Sequence, residues 1–565
     1  MAIRVEFEKT SVWNTGFVGE VFVYNETDET LPNYEVGFDL DAGITVVWNG
    51  VFEKTPEGRY LVVDDDDKND IAPGEMVRFK FKAYGDDPAA AVPSGFTVNG
   101  TAVDLDPSVS PGLPVDPPPA EPVEPPETGP DGSIEVAAGT TVAEIQKLIG
   151  SAPAGSTIKL APGTFVFDRP LEIERDDIAI IGSGEQQTKI LMDFDEAPDH
   201  GIHVAGGATS SLGRLGADAG FDDRTIQVDG AGSIKAGDVL LLSQPNDDAW
   251  LDSIGDDSWR KDKPLRESLV KVESVSGDQV RLENGVHFDF EKGATTVSKI
   301  DLFENVELGG FTVEFPFGEA DPAKLSNTMS DYNRFIAVRV DGTIGADVHD
   351  ITVDQGPSMA FQFERALYLD ADGLSAHGAH NKGSGGNGYA YQLRYTFDSE
   401  LSNLEDSGMR HSLVFASWTS SVGNQAHVLQ TDRDINFHGG RDHHNHVHVE
   451  RSVRIPENDV MSNVTWFDED GTRWGAPTDM THNRATYDFV LGSKRDDIVE
   501  AADGGAYIDG RGANDVLIGG RGNDVLIGGA GRDHLIGGAG DDVAVYGSKP
   551  GDYKVSRDGD GIEVK

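Results

Sequence analysis

Near its C-terminus the chain repeats every nine residues, and no other feature restricts the fold so tightly. Gly510–Ile518, Gly519–Ile527, Gly528–Ile536 and Gly537–Val545 are successive units, in which paired glycines lead to an aspartate and then to apolar residues. Asp497, Asp515, Asp524, Asp533 and Asp542 take the sixth position, while the unit 501–509 carries Ala506 there. Glycine permits the left-handed backbone of a tight turn. A unit this short cannot bury its apolar end alone, so units must stack on one another. Aspartates and exposed carbonyls are hard oxygen ligands of the kind calcium takes. The expectation is a calcium-binding parallel β-roll over residues 491–565. Calcium is its cofactor, the five aspartates are its metal ligands, and one ion position is missing at Ala506.

These units resemble the repeats of RTX proteins. The resemblance implies secretion from a Gram-negative bacterium by the type I route, with an uncleaved C-terminal signal. Two further observations agree with it. The chain has no cysteine, so any staple is a metal or the fold itself. The opening Met1-Ala-Ile-Arg-Val-Glu-Phe7 lacks the apolar core of a cleaved signal peptide. No apolar run is long enough to span a bilayer, so no membrane span is expected. The 46 Lys and Arg against 98 Asp and Glu leave a net charge of −52, which argues against nucleic acid as a partner.

Residues 1–102 alternate apolar and polar positions in short runs such as Gly19-Glu-Val-Phe-Val-Tyr24 and Met76-Val-Arg-Phe-Lys-Phe81, the pattern of a β-sandwich. Trp13-Asn-Thr-Gly-Phe17, Trp48-Asn49, Ile71-Ala-Pro-Gly74 and Phe96-Thr-Val-Asn-Gly100 resemble a family 2 carbohydrate-binding module. That resemblance implies binding of cellulose or a related glycan through exposed indoles, with Trp13 and Trp48 as two platforms. Indole faces stack on the apolar faces of sugar rings. Lys68 stands where the family has a third aromatic residue, inside an aspartate-rich run, and the family's cystine is missing.

Ten prolines between 107 and 130 make residues 103–132 a semi-rigid linker. At 565 residues the chain is too long for one core. Thr141 and Glu144 form a capping box for a short helix that Gly150 should end. Short apolar strands follow, at Thr157–Leu160, Thr164–Phe167, Leu171–Ile173 and Ile178–Ile181. Residues 160–182 resemble the opening turns of pectate-lyase-like proteins, which implies a right-handed parallel β-helix over 133–490. Residues 205–300 break the pattern and read as a β-insert. The fold class expected is therefore all-β: a right-handed parallel β-helix with an N-terminal β-sandwich and a C-terminal calcium-binding β-roll.

Chemistry concentrates in residues 377–450, which hold nine of the fifteen histidines. Imidazole is the side chain best suited to proton transfer near neutral pH. Rungs of such a coil lie about 5 Å apart, so residues distant in sequence form one site. The catalytic candidates are Tyr391 and Arg394, then Arg410 and His411, then His438, Asp442, His443 and His444. Trp418 is a candidate sugar platform within the same stretch. Residues 361–455 carry eight Lys and Arg against eleven Asp and Glu, a balance that admits an anionic glycan. The leading reading is a polysaccharide lyase or C5-epimerase on a uronate polymer, in which a cation neutralises the carboxylate and a base takes the proton at C5. Mannuronan C5-epimerases resemble this chain in joining a β-helix to nonapeptide repeats, and in a local Arg-His like Arg410-His411. Their Asp-Pro-His motif is absent here. A glycoside hydrolase, which needs paired carboxylates, and a non-catalytic calcium-dependent adhesin are the alternatives. Alternating His444, His446 and His448 would also suit a transition metal, although polar ladders on a coil exterior need no ion.

Overall fold

The computed structural model describes the chain except for residues 1–2, 14–15, 28–29, 33, 49–50, 56–57, 64–70, 74–75, 85–89, 104–131, 257–262, 455–462, 469–475, 548–554, 559–560 and 565. Lys68 and nearly all of the expected linker thus lie outside the described residues. The chain divides into two compact units, residues 1–125 and 126–565.

The first unit is a sandwich of two antiparallel sheets. One runs in the order Ile3–Trp13, Gly16–Asn25, Met76–Tyr84, Gly43–Trp48, and the other in the order Val51–Lys54, Tyr60–Val63, Glu35–Asp39, Ser94–Val98, Thr101–Ala102. Alternation along the strands turns Phe7, Phe17, Phe38, Phe79, Phe81 and Phe96 into the core between the sheets. Phe38 stacks against Phe79 and Phe81, with ring centroids 6.3 and 5.5 Å away. The backbones of Trp13 and Trp48 lie on strands of the same sheet, but their side chains are outside the described residues.

The second unit opens with the helix Val142–Ser151. The Thr141 hydroxyl accepts from the Glu144 N–H, and Glu144 accepts in return from the Thr141 N–H at 3.0 Å. The helix runs through Gly150 instead of ending there, and stops before Pro153, which disfavours helical backbone at the residue before it. Val142, Ile145 and Ile149 face the first turns of the coil.

The coil is a right-handed parallel β-helix with two long sheets. The first carries Val306–Glu314, Asp347–Gly356, Asp370–Ala379, Glu400–Ser407, Gln425–Thr431, His446–Val453 and Arg484–Leu491 in order. The second carries Leu171–Ile173, His200–Ala205, Ile336–Ile344, Met359–Leu367, Tyr389–Arg394, His411–Phe415, Ile435–Phe437 and Thr465–Phe467. A third, narrow face is a line of parallel bridges through Leu367, Phe397, Val422 and His443. Like residues stack inside from rung to rung. The rings of Phe415, Phe437 and Phe467 stack nearly parallel with centroids 4.5 and 4.8 Å apart. Asn424, Asn445 and Asn483 pass side-chain amide bonds of 2.9 and 3.0 Å along one corner. Each buried phenylalanine contributes roughly 1.5–3 kcal/mol.

The interruption is a six-stranded antiparallel insert spanning residues 208–301. Its core continues into Ile344, Leu367, Tyr395, Phe397 and Val422 of the coil, so the insert covers the third face. At the other end the first sheet runs on without a break into Ile498–Ala501, Tyr507–Asp509, Val516–Ile518, Val525–Ile527, His534–Ile536 and Val543–Val545. These short strands pair two units apart, as in Val516–Ile518 with His534–Ile536. Coil and roll are therefore one stack.

Candidate active site

Outward positions of the second sheet form three columns along the coil. At the strand entrances the chain bends, and two consecutive residues turn inward: Ala337 with Val338, Ala360 with Phe361, Ala390 with Tyr391. The residues just before them face outward. Ile336, Met359, Tyr389 and Val414 form a separate apolar patch on that face. His411 is the strand partner of Tyr389, and the rings are 5.3 Å apart. The second column is His203, Arg339, Gln362, Gln392, Val414, Asn436 and Trp466, each in register with the next. The third holds Asp341, Glu364 and Arg394, with His438 further along, just past the strand Ile435–Phe437.

The most organised group lies where the first two columns meet. His411 Nδ1 is 2.9 Å from both carboxylate oxygens of Asp434. The Asn436 amide donates to Asp434 at 2.6 Å, and its carbonyl faces His438 Nδ1 at 3.0 Å. Burial alone would raise the Asp434 carboxyl, but the facing imidazole, the Arg454 guanidinium and the Asn436 donor hold it ionised, well below the usual carboxylate range. Burial lowers His411, so the ring is neutral at neutral pH. An anionic acceptor at Nδ1 puts the proton there and leaves a lone pair on Nε2. That Nε2 is buried and makes no hydrogen bond. Burial, His411 and Arg410 push His438 down to about 3, so it is neutral as well. Its ring lies 6.1 Å from His411 and 5.1 Å from Trp466. Arg410 flanks the group, donating to the Gly383 carbonyl at 2.6 Å while its Nε is unpartnered. Burial raises Tyr389, which keeps its proton.

A second group lies toward the insert. Arg339 reaches Asp341 at 3.0 Å and Glu364 at 3.3 Å, and Arg394 lies 3.5 Å from Glu364. Burial and the neighbouring Glu364 push Asp341 up to about 6. Burial pushes Glu267, on the insert, up to about 7. Trp418 stands at the corner beside this group with the Lys263 ammonium 5.7 Å from its ring.

Four sequence candidates do not join this face. Tyr391 points into the coil and is fully buried, donating to the Leu374 and Glu405 carbonyls at 2.6 and 2.7 Å. Asp442 is fully buried in a turn, where it accepts from the Ser421 N–H at 2.7 Å, and burial pushes it up to about 8. His443 and His444 belong to the third face. His443 packs edge-on to Phe288 of the insert, with centroids 4.7 Å apart, and His444 stacks between Phe221 and His482. His446 and His448 face outward from the first sheet beside Thr486, apart from His444. Arg394, Arg410, His411 and His438 do share the second-sheet face. Sequence reasoning counted Asp434 only among the carboxylates available for hydrolysis, not as a partner of His411, and missed Asn436, Trp466, Asp341 and Glu364. Asp434, Asn436 and His438 alternate at the strand period of two, a signal that could have found them.

In the roll, aspartates link units eighteen residues apart. Asp515 accepts from the Asp497 N–H at 2.8 Å, Asp533 from Asp515 at 3.1 Å and Asp542 from Asp524 at 3.0 Å. Ala506 lacks the carboxylate but still donates its N–H to Asp524 at 2.7 Å. Glycine at the first position is sterically required. A Cβ on Gly519 would lie 1.9 Å from the Gly537 carbonyl oxygen and 2.6 Å from Asp524 Oδ2. The second oxygen of Asp515 is buried without a partner, and burial pushes that group up to about 7. An unpartnered carboxylate oxygen among converging carbonyls fits a hard cation, to be held by Asp515, Asp524, Asp533 and Asp542.

Residues 3–103 match the cellulose binding domain family. Residues 509–544 match four copies of the RTX calcium-binding nonapeptide repeat. The roll is a calcium-binding region. No curated protein matches the chain. Among solved structures, the tailspike protein gp49 from Pseudomonas phage LKA1 is 11% identical over 71% of this chain and 74% of its own, with a TM-score of 0.40. The catalytic domain of a GH87 alpha-1,3-glucanase is 8% identical over 97% and 96%, at 0.36. The surface adhesin PfbA of Streptococcus pneumoniae is 9% identical over 76% and 97%, at 0.30. No helix among the described residues is long and apolar enough to cross a membrane.

Proposed function

We propose that this chain is an extracellular polysaccharide-modifying enzyme whose reaction begins with removal of the C5 proton of a uronate residue: a lyase or C5-epimerase. It is brought to its substrate by a cellulose-binding-type module, stabilised by calcium, and exported by the type I route. The observation that carries the reading is His411. It is neutral, its Nδ1–H is held by Asp434, and its Nε2 has no protein partner. A base so oriented takes a carbon-bound proton only when a cation lowers the cost of the carbanion. Arg410 beside it supplies that charge at the uronate carboxylate. The electrons of the broken C5–H bond form the C4–C5 double bond as the C4–O bond breaks. Tyr389, kept protonated by burial, donates to the leaving oxygen. In epimerisation the C4–O bond stays intact and C5 is reprotonated from the opposite face.

Asp341 and Glu364 favour a second reading. They share the Arg339 guanidinium, and burial raises Asp341. A pair of carboxyl groups, one of them raised by burial, is the equipment of glycoside hydrolysis. Incubating the calcium-loaded chain with alginate, pectate and neutral glucans separates the readings. A lyase gives new ultraviolet absorbance, and an epimerase gives changed uronate stereochemistry. Both are lost by at least about a hundredfold in His411→Gln. Reducing ends without absorbance, abolished in Glu364→Gln but not in His411→Gln, would replace this reading by hydrolysis. No product on the whole panel would leave a non-catalytic adhesin.

A further inference from the structure

Four rungs before His411, the second sheet carries a group that none of the proposed chemistry uses. Glu172, on the strand Leu171–Ile173, is the register partner of His203 on the strand His200–Ala205. Its carboxylate lies between two rings, with Oε1 2.6 Å from His200 Nε2 and Oε2 3.0 Å from His203 Nδ1. The two rings are 4.5 Å apart. One ligand atom from each of the three residues falls within 4.8 Å of the others.

Local sequence explains the convergence. His200 and His203 are three apart, a spacing that a straight strand would send to opposite faces. Gly201 lets the strand entrance bend tightly. A Cβ there would lie 2.3 Å from the Met192 sulfur and 2.8 Å from the Ala337 carbonyl oxygen. The bend brings both rings to the outer face, with side chains 18% and 14% exposed and Glu172 36% exposed.

We propose that Glu172, His200 and His203 form a binding site for a zinc-class divalent ion. Two imidazoles and a carboxylate are the borderline donor set that such ions take, whereas calcium prefers oxygen alone. Hydrogen bonding inside the trio does not account for all of it, because His203 Nε2 is buried without a partner. The nearest cation does not block the site. Arg339, the next register partner of His203, is engaged by Asp341 at 3.0 Å and Glu364 at 3.3 Å. Three protein ligands leave one position open, and it lies on the face that bears His411 and Arg394. An anionic group of a bound glycan can fill it. The site does not depend on which reaction the chain performs, and it differs in ligand type from the roll.

The test uses the full chain in excess calcium, so that the roll is saturated, with zinc chloride as the titrant. Calorimetric stoichiometry and the melting profile are followed together. Wild type should bind zinc and melt higher with it. Glu172→Gln, His200→Ala and His203→Ala should each bind one equivalent less and lose that part of the melting shift. A variant that already melts lower in calcium alone is set aside, and His200→Ala, which removes a partly exposed ring, then decides. Absence of zinc binding by wild type overturns the proposal, as does a His200→Ala chain that binds as many equivalents as wild type.

Discussion

Tyr389 and Tyr391 are two residues apart on one strand, yet one packs on the outer side of the sheet and the other faces the core. Tyr391 is held by two carbonyls and by stacking on Phe361 at 5.6 Å. Tyr391→Phe should therefore cost about 0.5–1.5 kcal/mol in chemical denaturation and leave activity unchanged. A large loss of activity with unaltered stability would restore Tyr391 to the site. Strand alternation alone could not separate the pair, because Ala390 and Tyr391 both turn inward at the bend. The polar run Asp434–His438 carried a plainer signal, since its period of two survives, although that signal was not used. Asp406 offers a pH test in the same interior. It is fully buried, accepts from Thr431 Oγ1 at 2.9 Å and pairs with Ser412 Oγ, and burial pushes it up to about 7. Below about pH 4 the carboxyl is protonated in both folded and unfolded chains. Between about 4 and about 7 the folded chain keeps a proton that the unfolded chain releases, so stability falls as pH rises, by up to roughly 1.4 kcal/mol per unit. Asp406→Asn should flatten that slope in urea midpoints measured across the window. An unchanged slope would assign the pH dependence elsewhere.

The elements differ in how far the sequence disclosed them. The nonapeptide units were legible because one register of glycine, aspartate and an apolar residue serves all but the Ala506 unit. Gly519 and Asp524 each answer a contact that recurs with the repeat. Chelation should accordingly lower the melting temperature of the roll. Saturation at a hundred times Kd contributes about 2.7 kcal/mol per site, so the shift should be several degrees or more and should reverse with calcium but not with magnesium. A melting profile indifferent to chelator would mean that the roll stands on its apolar ends alone. The insert was less legible. Its strands could be seen in Thr225–Gln227 and Val239–Gln244, but not which surface they cover. That depends on Leu367, Phe397 and Val422, which come long after it in sequence. The same contacts bury His443 under Phe288, so a histidine cluster counted in sequence became three separate groups in space.

At the scale of the whole molecule, the cellulose-binding-type module and the proposed active site belong to different compact units, residues 1–125 and 126–565. Each has its own core. Damage to one should leave the other's function standing. The N-terminal unit offers the direct case. Indole stacking dominates affinity on a flat glycan face, and Trp13 and Trp48 lie on strands of one sheet, Ile3–Trp13 and Gly43–Trp48. The full chain carrying Trp13→Ala and Trp48→Ala should lose pull-down by cellulose. It should keep the calcium-dependent melting of the roll and its rate on soluble polysaccharide. On insoluble substrate the rate should fall, because the module acts by raising the local concentration of the enzyme on the surface. Equal loss on soluble and insoluble substrates would show that the two units share one site. Retained pull-down would move the platform off Trp13 and Trp48.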